Sequence, residues 1–533
     1  MPKLFALLVA AGVMVLLSAC DRHPALTFNF VAGSENTVME PIVQEFCASH
    51  GASCKFDYEG SLDIGLALQR PDGVSADAVW PASSVWIDMF DAGRKVTHVT
   101  SIAQMPVILG VRKSKAEALG WIGKDVRMAD ILTAVKAGQL KFLMTSATQS
   151  NSGASAYLSM LSSAIGRQDV IQAADLDNAS VRGTVGELLA GVERSSGSSG
   201  WLADLYVQQA QSGTAYDAMW NYEAVLKETN DKLKAIGKEP LYAIYPADGV
   251  AIADSPLGFV EHGKGTDASQ FFTDLVAFLQ SKPIAQRIAD TGRRIPLADA
   301  SVSAKPEPDW NFDPTRLVTA IRMPEPPVIR KALALYQEAL RKPSLTALCL
   351  DFSGSMENVG EGQLQQAMQF LLTPQRASEV LVQWTPQDQI IVIPFDQTVR
   401  TTFTSTGQPD AQSALLSQVA TEHSSGGTDM YACARAALDR IEQTPELSKS
   451  RRHRDHDRRA DRGQRRWFPV GVATSAGTGA GVRHHLWRRR CHPAQGARRR
   501  HQRPRVRRQG GSGGCIPRRA RVQLTGHAFC PAQ

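Results

Sequence analysis

The stretch that most constrains this chain is Leu348-Cys349-Leu350-Asp351-Phe352-Ser353-Gly354-Ser355-Met356. An apolar run of strand formers stops at an acid, two hydroxyls and a glycine, and Gln363 to Leu372 then reads as an amphipathic helix. A buried strand, a tight polar loop and a helix make the repeating unit of a parallel α/β sheet. Such sheets put their ligand sites at the C-terminal ends of the strands. Asp351, Ser353 and Ser355 alternate with Phe352 and Gly354, so three oxygen donors line one side of the loop. Hard oxygens in that arrangement suit Mg²⁺, Mn²⁺ or Ca²⁺ rather than zinc. The plainer alternative is a Ser/Gly-rich turn after a core strand.

The pattern resembles the von Willebrand factor A domain and its metal-ion-dependent adhesion site, whose first loop reads Asp-x-Ser-x-Ser. About seventy residues on, Gly426-Gly427-Thr428-Asp429 stands where that family has a metal-ligating threonine. The resemblance implies Asp351 acting largely through water, Ser353 and Ser355 binding directly, and Thr428 binding in one of two cation states. It also implies a protein partner whose carboxylate completes the coordination of the cation. Gln389 to Phe395 as a buried strand, Val399 to Phe403 as a short edge and helices over Ala411–Ala420 and Tyr431–Gln443 suit the same domain. The family's third loop needs an acid after the next strand, near residue 455, and the chain as written lacks it.

The N-terminus addresses the compartment. Lys3 precedes an apolar run from Leu4 to Leu17, closed by Leu17-Ser18-Ala19-Cys20. Such a run is short for a membrane span and typical of a signal-peptide core. Its end resembles a bacterial lipobox, which implies that Cys20 is lipidated and that the body is a membrane lipoprotein facing the periplasmic side. Asp21, by resemblance to sorting signals, favours retention at the inner membrane. An ordinary signal peptide or an uncleaved anchor is the alternative. In that oxidising compartment Cys47 and Cys54 suit a short-loop disulfide, subject to Cβ geometry that sequence does not supply. Cys349 and Cys433 read as small core residues.

From Leu26 the chain alternates strands and helices, the rhythm of parallel sheets. Several strands run into hydroxyl-rich loops that open helices: Gly33-Ser34, Glu59-Gly60-Ser61, Pro81-Ala82-Ser83-Ser84 and Thr145 to Gly153. Loops of that kind present backbone N–H groups and hydroxyls at positive helix ends, the means of holding an anion without a full counter-charge. Taken singly, each loop is equally a helix N-cap. Residues Phe28 to Pro296 resemble the type 2 periplasmic solute-binding proteins with two α/β lobes, in particular the phosphate/molybdate-like branch. The resemblance is carried by those loops, by Trp220-Asn221-Tyr222-Glu223 and by Tyr245-Pro246-Ala247-Asp248-Gly249-Val250. Candidate ligand-binding residues are Ser34, Ser61, Ser84, Ser150, Asn151, Ser152, Tyr222 and Asp248. No lysine or arginine sits in these loops, which favours a hydrogen-bonded oxyanion or a neutral solute; Asp248 would instead suit an amine or a metal ion.

The expected architecture is α/β throughout: a signal peptide over 1–20, a two-lobed solute-binding-like domain over 25–300, and a Pro-rich linker and helix over 301–342. The linker should be a semi-rigid extended spacer. The first part of a doubly wound A domain would follow over 343–450. The chain carries a net charge of +7, yet residues 451–533 hold 22 Arg, 3 Asp and neither Lys nor Glu, so they contribute +19 and the body −12. This segment reads as a disordered basic tail without periodicity. A natural tail of this kind would bind nucleic acid or anionic lipid. Arginine without lysine, mixed with Pro, Gly, Ala and His, is also what GC-rich DNA gives out of frame. Read one base later, GC-rich codons for His453–Arg459 give Thr-Ala-Ile-Met-Thr-Asp-Gly, the missing strand and acid. A further strand and helix follow before a stop becomes available at Leu524. The expectation is therefore a one-base frameshift near codon 450, no nucleic-acid role, and an A domain left with an exposed central strand.

No Cys/His dyad, G-x-S-x-G elbow, zinc spacing or phosphate-loop lysine motif points to an enzyme. Two non-catalytic functions are expected: solute or oxyanion binding by residues 25–300, and cation-dependent protein binding by the A-type part. The alternative is a transporter's solute-binding lipoprotein with a non-functional A-domain remnant. Sequencing of the DNA across codons 440–465, with mass spectrometry of C-terminal peptides, should return shifted-frame peptides; Arg-rich peptides in the written frame would refute the frameshift.

Overall fold

The computed structural model describes residues 26–166, 169–213, 215–263, 265–296, 301–443, 470–475, 480–485 and 527–528. Cys20 and the signal segment lie outside them. The described residues divide into two compact units: those up to Pro343 with Thr373–Thr385, and Ser344–Leu372 with those from Pro386 onward.

The first unit has two lobes. Its strands, in chain order, are β1 (Leu26–Gly33), β2 (Ala52–Glu59), β3 (Ala78–Trp80), β4 (Val96–Ser101), β5 (Met105–Arg112), β6 (Phe142–Leu143), β7 (Val192–Arg194), β8 (Ala218–Tyr222), β9 (Leu241–Ile244), β10 (Ile252–Ala253) and β11 (Pro256–Val260). Lobe one is the sheet β2-β1-β3-β11-β4; lobe two is β10-β5-β8-β6-β7, with β9 beside β5. The sheets are mixed rather than parallel. β1 runs parallel to β2 and β3, whereas β11 runs antiparallel to β3 and β4. The reason is the path: the chain leaves lobe one after β4 and re-enters it at β11, arriving from the other lobe in the opposite sense.

Alternation along β1 sends Phe28 and Phe30 into one core, where Phe28 meets Phe271 at 5.0 Å and Phe30 stacks on Phe56 at 4.4 Å between ring centroids. Burial of each such ring stabilises by roughly 2–3 kcal/mol. Cys47, at the end of the helix Glu40–Ser49, is disulfide-bonded to Cys54 in β2, their Cα atoms 6.1 Å apart. The crossings between β4 and β5 and between β10 and β11 are short. In the second, Ser255 adopts φ +43°, its N–H donates to the Ala82 carbonyl, and its hydroxyl accepts from the Trp80 indole at 3.0 Å.

The proline-rich segment departs from the expected free spacer. Trp310 and Phe312 are buried, Val250 and Ile321 exchange backbone bonds with the 319–321 stretch and Val250 respectively, and the helix Pro326–Leu335 buries Ile329, Ala332 and Leu333. The Tyr157 hydroxyl donates to the Ala332 carbonyl at 2.9 Å. Proline fixed the local backbone, but its apolar neighbours found lobe two to pack on. Thr373–Thr385, expected within the A domain, also belongs to this unit. Its Leu381 and Gln383 carbonyls accept from Gln337 and Arg341 at 3.0 and 2.9 Å.

The second unit is one sheet, β14-β13-β12-β15-β16-β17. Its strands are β12 (Leu345–Asp351), β13 (Gln389–Phe395), β14 (Phe403–Thr406), β15 (Val470–Ser475), β16 (Ala480–His485) and β17 (His527–Ala528). β12 lies parallel to both β13 and β15. The expected bare edge of β12, and a tail wholly without strands, are therefore corrected. Val470–Ala473 pairs with Ala347–Leu350, and β16 adds an antiparallel neighbour. Backbone amide pairing does not need the side-chain periodicity whose absence suggested disorder. The region near residue 455, where the third acid was sought, lies outside the described residues.

Cys349 and Cys433 are not separate core residues: they form a second disulfide, joining β12 to the helix Met430–Gln443 across 84 positions. Both are fully buried among Ala347, Ile391, Ile393, Phe395, Ala437 and Ile441. A cross-link over that separation contributes about 3–4 kcal/mol, chiefly by restricting the unfolded chain. The double replacement Cys349→Ala/Cys433→Ala should lower the denaturation midpoint of this unit by a few kcal/mol equivalent. A change below about 1 kcal/mol in guanidinium melts, on the scale of a surface substitution, would refute the cross-link.

Candidate functional site

In the first unit the helix-opening loops of both lobes meet along a seam. β1 ends at Gly33 and Ser34 opens a short 3₁₀ turn; from the other lobe, Ser198 precedes the helix Ser199–Gln211. That helix has no side-chain cap of its own. Ser34 supplies it from across the seam: its Oγ accepts from the Gly200 N–H at 3.0 Å and from the Ser198 hydroxyl at 2.5 Å. Beside it, the Ser199 hydroxyl donates to Glu35 Oε2 at 3.1 Å. Two more bonds cross the seam. The Leu62 N–H donates to the Gln149 carbonyl at 3.4 Å, and the Trp86 indole N–H donates to Asn151 Oδ1 at 2.8 Å. Approach is this close because Gly60 carries no side chain; a Cβ there would collide with the Gln149 carbonyl oxygen.

The expected ligand residues separate into three groups. Ser34 and Asn151 lie on the seam itself, and Tyr222 stands behind Asn151, whose amide donates to its hydroxyl at 3.0 Å. Ser61, Ser150 and Ser152 are buried nearby but bonded within their own lobes: Ser61 Oγ accepts from the Ala82 N–H, and Ser152 bonds Thr145 and Ser150. Ser84 and Asp248 stand apart. The Ser84 N–H donates to Asp254 at the inter-lobe crossing. Asp248 accepts from the Met128 N–H at 3.1 Å and from the Ser163 hydroxyl at 2.5 Å, so it caps the helix Met128–Lys136.

Sequence reasoning passed over Glu35, Asn36, Ser198, Ser199 and Arg293. Ser195-Ser196-Gly197-Ser198-Ser199-Gly200 carries the same hydroxyl-glycine signature as the Thr145 loop and was legible on those terms. Arg293 was not, because it arrives from the closing helices 258 positions away from Glu35. It is buried, and its guanidinium donates to the Glu35 carbonyl at 2.5 Å, to Glu228 at 2.9 Å and to Thr291 at 2.7 Å. Next to it, Arg294 is paired with Glu223, which also accepts from the Tyr245 hydroxyl at 2.6 Å.

Burial dominates the electrostatics. It pushes the Glu35 carboxyl up to about 7, against weaker opposing effects of hydrogen bonds and Arg293. Burial likewise pushes Glu59 up to about 7 and Asp63 well above its ordinary value, the latter helped by Glu59.

In the second unit the metal-type loop is formed by the end of β12. The Ser353 N–H donates to Asp351 Oδ1 at 2.9 Å, and the Ser353 and Ser355 hydroxyls lie 3.2 Å apart. The Gly426 loop is tied to it: Gly354 N–H donates to the Gly426 carbonyl at 2.9 Å, and Ser425 N–H donates to the Phe352 carbonyl at 2.8 Å. Thr428 is exposed two residues further on. The residue sequence reasoning missed is Arg400. Its guanidinium donates to the Phe352 carbonyl, Ser425 Oγ and Asp396 on one side and to Glu422 and the His423 carbonyl on the other. One carboxylate and two hydroxyls on a clamped loop fit a hard divalent cation as donors. Among the described residues no three His, Cys, Asp or Glu side chains gather to hold a metal, so such a site would draw on hydroxyls and water.

Residues 28–294 match the family described as bacterial extracellular solute-binding protein. The chain belongs to that family. Solved structures similar to this chain include the periplasmic binding protein AfuA from Actinobacillus pleuropneumoniae with fructose-6-phosphate bound, at 12% identity and TM-score 0.41, covering 58% of this chain and 94% of that one. The sulfate-binding protein SubI from Mycobacterium tuberculosis matches at 18% identity and TM-score 0.38, covering 52% and 89%. A ferric binding protein from Campylobacter jejuni matches at 16% identity and TM-score 0.41, covering 58% and 98%. No curated protein matches the chain. Family membership fits an extracytoplasmic location, and among the described residues no helix is long and apolar enough to cross a membrane.

The raised Glu35 carboxyl has a stability consequence with a definite sign. Its folded value, about 7, exceeds its ordinary 4.5, so the fold binds the proton more tightly than the unfolded chain. The resulting cost is absent below about pH 4.5, grows through the interval and is complete above about pH 7. Glu35→Gln should therefore stabilise the first unit by on the order of 2 kcal/mol at about pH 8 and by almost nothing at about pH 4. Melting curves at the two pH values check it; an equal shift at both would contradict the assignment.

Proposed function

We propose that this chain is the solute-binding lipoprotein of a membrane transporter, that the first unit captures a small solute between its lobes, and that the second unit is an accessory module of von Willebrand A type. The observation that carries the reading is the seam: hydroxyls, amides and helix N-termini from both lobes converge at Ser34, Asn151 and Ser198–Gly200. A solute entering there would exchange lobe-to-lobe hydrogen bonds for bonds to itself, which couples binding to closure. Cys20 would supply the anchor, and the oxidised pairs Cys47–Cys54 and Cys349–Cys433 agree with an extracytoplasmic life.

A second reading is favoured by the Arg400 clamp. Asp351, Ser353, Ser355 and Thr428 would hold Mg²⁺, and the cation would present an open position to a carboxylate of a protein partner. The clamp supports this because it holds the two loops, already joined by the Gly354–Gly426 and Ser425–Phe352 backbone bonds, in one arrangement, the preorganisation a weak-donor metal site needs.

Thermal melts of the full chain against a library of small solutes test the first reading. At least one should raise the first transition by several degrees, and Ser34→Ala with Asn151→Ala should abolish the shift. No shift with any solute, together with no co-purifying small molecule in native mass spectrometry, would refute it. In the same format Mn²⁺ should raise the second transition and Asp351→Ala should remove that effect; its absence would leave the second unit a remnant.

A further inference from the structure

We propose that the solute is a small organic cation bearing an ammonium group, and that Glu35 is the residue that selects it. The inference rests on the solute-binding reading above. Two buried acceptors of the turn that opens at Ser34 accept no hydrogen bond from any described residue, Glu35 Oε1 and Asn36 Oδ1, and the other oxygen of Glu35 meets Ser199 across the seam. Glu35 is 4% exposed and Asn36 fully buried. The Asn36 amide is fixed in orientation, because its Nδ2 donates to the Trp80 carbonyl, which only accepts. Oδ1 is thus an acceptor by necessity.

The donors around them are committed elsewhere. Ser199 donates to Glu35 Oε2, Ser198 and the Gly200 N–H to Ser34, the Trp86 indole to Asn151, and the Asn151 amide to Tyr222. Arg293 spends both terminal nitrogens on Glu228, Thr291 and the Glu35 carbonyl; its Nε carries no bond. An unpartnered buried acceptor costs about 1–3 kcal/mol, and more when charged, so a ligand that donates to one of them recovers part of that cost.

Charge selects further. The groups facing Glu35 are Arg293 and Glu228, which balance each other, the neutral Tyr222 from β8, and Ser199 from the opposite lobe. The seam is therefore net negative when Glu35 is ionised. Glu59 lies beside Gly33 in the β1–β2 register, with Arg70 and Asp57 acting on it in opposite senses. An oxyanion brought to the seam would oppose the ionisation of Glu35, whereas an ammonium would favour it. The acceptors left over suit a ligand with N–H donors, which an ammonium supplies. The sequence alone favoured a hydrogen-bonded oxyanion or a neutral solute, an expectation drawn from loops read without Glu35 as a site residue.

The test uses the full chain, isothermal titration and four probes: putrescine, ethanolammonium, sulfate and inorganic phosphate, from about pH 5 to about pH 8. An ammonium probe should bind with an affinity that does not fall as pH rises, and Glu35→Gln should weaken it by on the order of tenfold or more. Glu59→Gln, which removes charge without a seam contact, should weaken it a few-fold. Sulfate and phosphate should not bind. Binding of either anion with an affinity that falls as pH rises, ammonium binding indifferent to Glu35→Gln, or no ammonium binding at millimolar concentration would each overturn the proposal. A non-cationic solute from the library experiment would remove the class while leaving the solute-binding reading intact.

Discussion

The first unit depends on one borrowed helix cap. The helix Ser199–Gln211 opens without a side chain of its own on its free N–H groups, and an uncapped, buried helix start is costly. Ser34 relieves that cost from the other lobe by accepting two bonds on a single oxygen. The consequence is mechanical: the lobes are held together by groups that each lobe leaves unsatisfied when apart. Water could satisfy the same groups, so opening the seam exchanges one set of hydrogen bonds for another.

Around that cap the fold places charge where it cannot move freely. Arg293 and Arg294 leave lobe one side by side and pair with Glu228 and Glu223 on a helix of lobe two. Buried pairs of this kind contribute little net stability but penalise every arrangement in which one partner is left alone. They therefore specify how the closing segment returns. Glu35, by contrast, has no dedicated counter-charge, and burial raises its proton affinity for that reason.

Arg400 does in the second unit what Ser34 does in the first. Five acceptors from three loops converge on its guanidinium, and the planar fork satisfies them simultaneously. Asp396, which sits beside the Gly426 loop, has its charged form stabilised there by Thr398 and Arg400 despite the opposing effect of burial, so its carboxylate is held for structure.

The sequence by itself determined the elements that depend on neighbours in the chain. β1, β12 and β13 follow from their apolar runs, the helix starts follow from the hydroxyl and glycine loops after them, and the family resemblance over Phe28–Pro296 follows from those loops. It also determined which loops were candidates, since Ser34, Asn151 and the Asp351 loop are read from local composition. Only the tertiary structure decided which candidates meet. Asp248 and Ser84 carry the right chemistry, yet each found a nearer partner, while Arg293 reached Glu35 from 258 positions away. The proline-rich segment became part of lobe two because its apolar side chains were better buried than solvated, and Cys349 met Cys433 because the strand and the helix pack face to face. Backbone preference is a local property and is written residue by residue. Which polar group is left without a partner is a property of the packed whole, and Glu35 Oε1 and Asn36 Oδ1 are among those so left here.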